Sequence, residues 1–122
     1  MSPLKVQFIS LEEDDKDLVV SFAIDDTKGD IESLILLRTL FHEEYLDADE
    51  RGVRVSLENE GFEEEHRNVL VDIQIENDEV VIRTTFREYR LDISRIEKGD
   101  VEDMVRLLRK QNYDNRFTMR IA

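Results

Sequence analysis

Cysteine is absent from this chain of 122 residues. Disulfides, thiolate metal sites and thiol nucleophiles are excluded together, and a reducing cytoplasm is the expected setting. Glycine occurs only four times, at scattered positions, so no glycine-rich loop is there to cradle a phosphate. Long apolar runs are missing too. The longest mostly apolar stretch, Leu34 to Phe41, is interrupted by Arg38 and is far shorter than the ~20 residues that cross a bilayer. The opening MSPLKVQFISLEEDDK lacks the apolar core of a secretion signal.

Positive charge is in short supply. There are 30 acidic residues against 17 lysines and arginines, a formal net charge of −13. Residues 1–61 hold 16 acids and 6 bases, and residues 62–122 hold 14 and 11. Charged residues make up 39% of the chain, against about 25% in an ordinary domain. A field of this sign repels nucleic acid and anionic membranes and attracts basic partners. Solubility alone is the plainer account of the same charge.

The length suits a single domain, 1–122, which buries roughly two-thirds of the surface its unfolded form exposes. Alternation marks most of it as strand. Leu4, Val6 and Phe8 share one face of LKVQFISL (4–11). Leu18, Val20, Phe22 and Ile24 share one face of DLVVSFAI (17–24), and the polar link between the two runs suggests an antiparallel hairpin. Residues 25–30 form a turn in which Gly29 supplies a positive φ. IESLILLRTLFHEEYL (31–46) fits helix and strand periods about equally. It is read as a buried strand over 32–39, followed by an irregular stretch or one helical turn over 40–47. VRVSLEN (53–59) alternates again.

NVLVDIQIENDEVVIRTTF (68–86) is the clearest segment. Asn77-Asp78 suits a two-residue type I′ turn, because both residue types tolerate the left-handed region. That turn sets Ile75 opposite Val80, Ile73 opposite Ile82, Val71 opposite Thr84, Val69 opposite Phe86, and Asp72 opposite Arg83 on the other face. EYRLDIS (88–94) continues as a strand with Tyr89, Leu91 and Ile93 on one side. A helix follows, with Asp100 as its expected N-cap and Val101, Met104, Val105 and Leu108 as its apolar stripe. Asn112 or Asn115 ends it, and RFTMRI (116–121) is either a last strand or a packed extension. The expected fold is α+β: a mostly antiparallel sheet of six to seven strands with one amphipathic helix near the C-terminus.

Signals for chemistry are weak. DADERGVRVSLE (47–58) has the Asp, Asp, Gly and Glu spacing of a calcium loop. It also places Arg51 where an oxygen ligand belongs, and VRVSL reads as strand. His42 and His66 are far apart and lack a zinc spacing. No nucleophile elbow is present, and paired carboxylates are too common here to diagnose acid–base work. The expectation is a protein without catalytic residues, metal or cofactor. Two acidic segments remain as candidate surfaces: Asp47, Asp49 and Glu50 before the strand at 53–57, and Glu63, Glu64 and Glu65 after it. Tyr45 and Phe62 lie among them, either as exposed anchors for a basic partner or as core residues.

VVSFAIDDTKGDIESLILLRTLFHEEYLDADERGVRVSLENEG (19–61) resembles the early part of the immunity protein 10 family of bacterial polymorphic-toxin systems. The VVSFA strand, the aliphatic LILLR stretch ending in Arg38, and the acidic loop before a strand ending in Glu58 carry the likeness. The resemblance implies a non-catalytic inhibitor that binds a toxin made by the same cell. The carboxylates at 47–50 and 63–65 would then occupy sites meant for phosphates. Two other readings stand beside it. One is a subunit or adaptor docking through an apolar face or sheet edge. The other is a small enzyme or ligand-binding barrel using Arg38, Arg83 or Arg87 inside a pocket.

Overall fold

The structure, a computed structural model, describes residues 3–25 and 29–122. Eight strands and one helix follow one another as β1 (Leu4–Glu13), β2 (Asp17–Asp25), β3 (Ile31–Thr39), β4 (Arg54–Leu57), β5 (Leu70–Glu76), β6 (Glu79–Thr84), β7 (Glu88–Asp92), α1 (Lys98–Gln111) and β8 (Thr118–Ile121). All the strands join one sheet in the order β4-β3-β2-β1-β7-β6-β5-β8. Only β1–β7 and β5–β8 run parallel. The α+β expectation holds, with eight strands rather than six or seven, because the tail pairs beside β5.

The ambiguous stretch resolves as a strand. β3 pairs β2 without interruption from Asp17↔Thr39 to Asp25↔Ile31 and takes β4 on its other edge. With both edges used, the hydrogen bonds of the sheet override the helix formers in the segment. Glu32, Leu34, Leu36 and Arg38 point inward, and the chain then breaks into a 3-10 turn at Glu43–Tyr45. In the 25–30 turn Gly29 does take a positive φ, 87°, while 26–28 lie outside the described residues.

Two bulges correct the simple alternation. The β1–β2 register shifts between Val6 and Phe8. Val6 stays in the core, but Phe8 turns outward and is 53% exposed, so Leu4, Val6 and Phe8 do not share a face. Ile9 resumes the inward position, opposite Phe22. In β5 the pairs Ile75↔Val80, Ile73↔Ile82 and Asp72↔Arg83 form as expected, and the turn residues Asn77 and Asp78 have φ of 49° and 62°. Beyond Asp72 the register shifts and Thr84 faces Leu70 instead of Val71. The Val69–Phe86 pair is also replaced. Val69 bridges Arg54, and the Leu70 amide donates to the Val53 carbonyl at 2.7 Å. The pull of β4 on the start of β5 gives a physical reason for the bulge: Leu70 enters the core and Val71 is exposed.

These contacts curl the sheet so that β4 meets β5, and the Val55 amide donates to the Asn68 carbonyl at 2.8 Å. α1 packs across β1 and β2 and sends Met104, Leu107 and Leu108 into a core that also holds Phe22, Leu36 and Ile73. Each such aliphatic or aromatic side chain contributes about 1.5–3 kcal/mol by leaving water. The helix starts at Lys98 with Glu97 at the cap position, not at Asp100. The Ile96 amide already turns back onto the Ile93 carbonyl, and the Asp100 and Val101 amides both donate to the Glu97 carbonyl. Asp100 therefore sits in the first turn, where its charge still suits the dipole. Val101 and Val105 are only partly buried, while Leu107 is buried in their place. Asn112 caps the C-terminal end. Its side chain grips the Phe117 amide and carbonyl, and Asn115, at φ 56°, turns the chain into β8.

Candidate interaction surface

The end of β3 is fixed by Arg38. Its side chain is 0% exposed and lies between the turn after β3 and the loop after α1. Nε and Nη2 fork onto the two Glu43 oxygens at 3.1 and 2.7 Å. Nη1 bonds the Gln111 carbonyl and Asp114 Oδ1 at 2.8 and 2.7 Å, and Nη2 also reaches Asp114 Oδ2 and the Tyr113 hydroxyl. The Tyr113 ring lies against the guanidinium, 4.2 Å away. Burial works against the charge, but the bonds to Asp114 and Glu43 outweigh it and hold the Arg38 pKa above its ordinary value. Bonding from Arg38 in turn holds the Asp114 carboxyl well below the usual range.

From this anchor the chain projects an acidic and aromatic edge. His42 adopts φ 68°, which turns the 3-10 segment outward. Its ring sits between Phe41 and Tyr45, with centroids 3.9 and 5.3 Å away. Tyr45 is 76% exposed, so it is a surface residue. Phe62 is half-buried instead, edge-on to Phe86 with Arg87 over its face at 4.2 Å. Arg51 donates to the Leu46 and Glu44 carbonyls and staples the chain before the next 3-10 turn, Ala48–Glu50.

After β4 the segment 58–67 runs back beside that strand to a third 3-10 turn, Glu65–Arg67. Asn68 fixes its return. The buried carboxamide donates to the Val55 carbonyl and accepts from the Thr84 hydroxyl and the Phe86 amide. The two acidic segments, separated by a strand in sequence, thereby come together. Arg67 lies 3.3 Å from Asp49 and 3.1 Å from Glu64, and His66 Nε2 lies 3.6 Å from Glu50. One arginine is shared between the two segments. Among the described residues Glu44, Asp47, Glu63 and Glu65 have no ion pair. Phe62 stands apart from this edge and belongs with Glu60, Arg87 and Tyr89. Glu60 accepts from the buried Tyr89 hydroxyl at 3.0 Å, and burial together with that anion raises the tyrosine pKa.

The calcium spacing folds differently from a calcium loop. Oxygens of Asp47, Asp49 and Glu50 approach within 4.8 Å of one another. Glu58, the residue expected to close the loop, lies at the far end of β4 and accepts from the Ser33 amide. Nor do Arg38, Arg83 and Arg87 converge. Arg38 is enclosed by its partners, Arg83 pairs with Asp72 and Glu88 on the sheet surface, and Arg87 pairs with Glu60. The part sequence patterning missed is the aromatic flank. Phe41 and His42 join Tyr45 through their spacing in FHEEY, a signal visible only once the segment is known to be a turn.

Compared with protein-family models, curated proteins and solved structures, the chain finds no significant match in any of the three. Among the described residues no helix is long and apolar enough to cross a membrane.

Proposed function

We propose that this chain is a non-catalytic, cytoplasmic protein-binding domain that neutralises a basic toxin by covering its cleft, as an immunity protein does. The observation that carries the reading is the convergence of 44–50 and 63–67 on one edge beside exposed Tyr45. Among the described residues Arg67 is the cation that pairs with carboxylates of both segments, and His66 Nε2 lies beside Glu50. Asp47, Glu44 and Glu63 keep their charge for a partner, and Tyr45 offers a rigid ring with polar tip as an anchor. Such an edge steers a cationic cleft into place and holds its phosphate-binding groups. The resemblance of 19–61 to the immunity protein 10 family supports the same reading.

Co-expression with the product of the adjacent upstream gene tests it. Protection from that product's toxicity is expected, with capture of the two proteins together that weakens in high salt. Lys substitutions at Asp47 and Glu63 are expected to slow association by about tenfold at low salt. A harmless neighbour, or protection unchanged by both substitutions and by Tyr45→Ala, would refute the reading.

The adaptor reading draws on a different place. β8 is the last strand of the sheet, and a groove of about 730 Å³ runs between it and α1, with Ile96, Val101, Val105 and Ile121 among its walls. A free edge beside an apolar groove is the arrangement in which a partner strand adds to a sheet. A salt-insensitive complex, protecting the amides of 118–121 from exchange, would favour this reading over the acidic edge.

A further inference from the structure

Glu32 is the inward residue at the opposite end of β3 from Arg38, and it is 9% exposed. Its side chain makes no ion pair or hydrogen bond among the described residues. Its carboxylate keeps some contact with solvent but has no counter-charge among the described residues. The space it faces is a cavity of about 500 Å³ at this end of the curled sheet, walled by Leu4 and Leu57 and bordered by Glu60, Tyr89 and Arg87. The cations that border the cavity are already engaged. Arg87 pairs with Glu60, and Arg90 pairs with Glu79 and Glu88. The Tyr89 hydroxyl is likewise taken up by Glu60. The uncompensated group in the cavity is therefore an anion with two leucine walls beside it.

We infer that this cavity binds a primary ammonium carried on a short aliphatic stem, with Glu32 as its counter-ion and Leu4 and Leu57 against the stem. An ammonium offers three donors and tolerates a single carboxylate, and a stem of a few carbons fits between leucines. That chemistry is shared by a free alkylamine and by a lysine side chain of a bound protein. The site lies at the far end of β3 from the acidic edge and stands or falls independently of it.

The test is an NMR titration of the full chain with three probes: n-butylammonium, a blocked Gly-Lys-Gly tripeptide, and butyrate as the opposite-charge control. n-Butylammonium is expected to saturate with a Kd of about 10 mM or tighter, shifting the amides of Glu32, Leu57 and Tyr89. Glu32→Gln is expected to weaken it about tenfold or more, and butyrate to leave these amides unmoved. If the tripeptide binds as well as n-butylammonium, the cavity receives a partner's lysine; if only n-butylammonium binds, it receives a free amine. Should Glu32→Gln fail to fold, Leu57→Phe fills the same space beside an intact carboxylate and is expected to abolish the shifts. No saturable shift up to about 50 mM, equal shifts by butyrate, or unchanged affinity in the variant that folds would overturn the inference.

Discussion

Arg38 and Asp114 stand 76 positions apart and meet through two parallel hydrogen bonds, Nη1 to Oδ1 at 2.7 Å and Nη2 to Oδ2 at 3.0 Å. The guanidinium they share with Glu43 has no solvent contact. The fork ties the end of β3 to the loop that follows α1. Removing one member of a buried pair leaves the other charges uncompensated, so Arg38→Ala is expected to lose about 3–5 kcal/mol in chemical denaturation. Arg38→Lys keeps the charge but not the planar fork, and should recover only part of that loss. A loss under about 1 kcal/mol would show that the site is no more than a surface pair.

The same pair predicts a pH dependence. The folded Asp114 carboxyl titrates below its unfolded value of about 3.9. Its contribution is therefore fully present above that value and is lost as the pH falls through the folded pKa. Unfolding free energy followed from pH 5 downward is expected to drop less steeply in Asp114→Asn than in the parent chain. Parallel acid limbs would contradict the assignment.

The β5–β6 turn makes a conformational prediction. Asn77 and Asp78 both hold left-handed backbone, a region that β-branched residues adopt at a cost of about 1–2 kcal/mol. Asp78→Val is expected to lose that much stability in urea, while Asp78→Gly should equal or exceed the parent. Equal stabilities for the two variants would rule out the turn as described.

Asn68 links stability to the acidic edge. Its carboxamide joins the Val55 carbonyl, the Thr84 hydroxyl and the Phe86 amide. Asn68→Ala leaves buried groups unmatched and should cost about 1–3 kcal/mol. It should also increase exchange at the amides of 64–68, since the return of that segment loses its ties to Val55, Thr84 and Phe86. Stability lost with exchange unchanged would mean that the acidic segment is held in place by other contacts.

Much of the fold was legible because local chemistry and face pattern agreed. The Asn77-Asp78 turn fixed Ile73, Ile75 and Asp72 against their partners, and β1 and β2 were bounded by polar links. Where the reading failed, a contact distant in sequence had intervened. Val69 and Leu70 are drawn to β4, which moves Val71 outward, and the bulge before Phe8 does the same at β1. No period in either strand records these events. The acidic segments were visible as composition, but their meeting through Arg67 depends on Asn68 returning the chain to Val55. Arg38 read as an interruption of an apolar run, and its partners at 111–114 lie beyond the reach of local patterning. Glu32 and Arg38 sit at even spacing on the same face of β3, yet only the folded chain distinguishes the enclosed cation from the uncompensated anion.

The seam between β1 and β7 consists of two residue pairs, Leu4↔Leu91 and Lys5↔Asp92. It divides the sheet into the four strands that come first in the chain and the four that come last. α1 belongs by sequence to the second set but packs on β1 and β2 of the first. Cleavage of the backbone between Gly61 and Glu64 should therefore yield two fragments that stay associated and recombine after separation, because each lacks part of the interior that the other supplies.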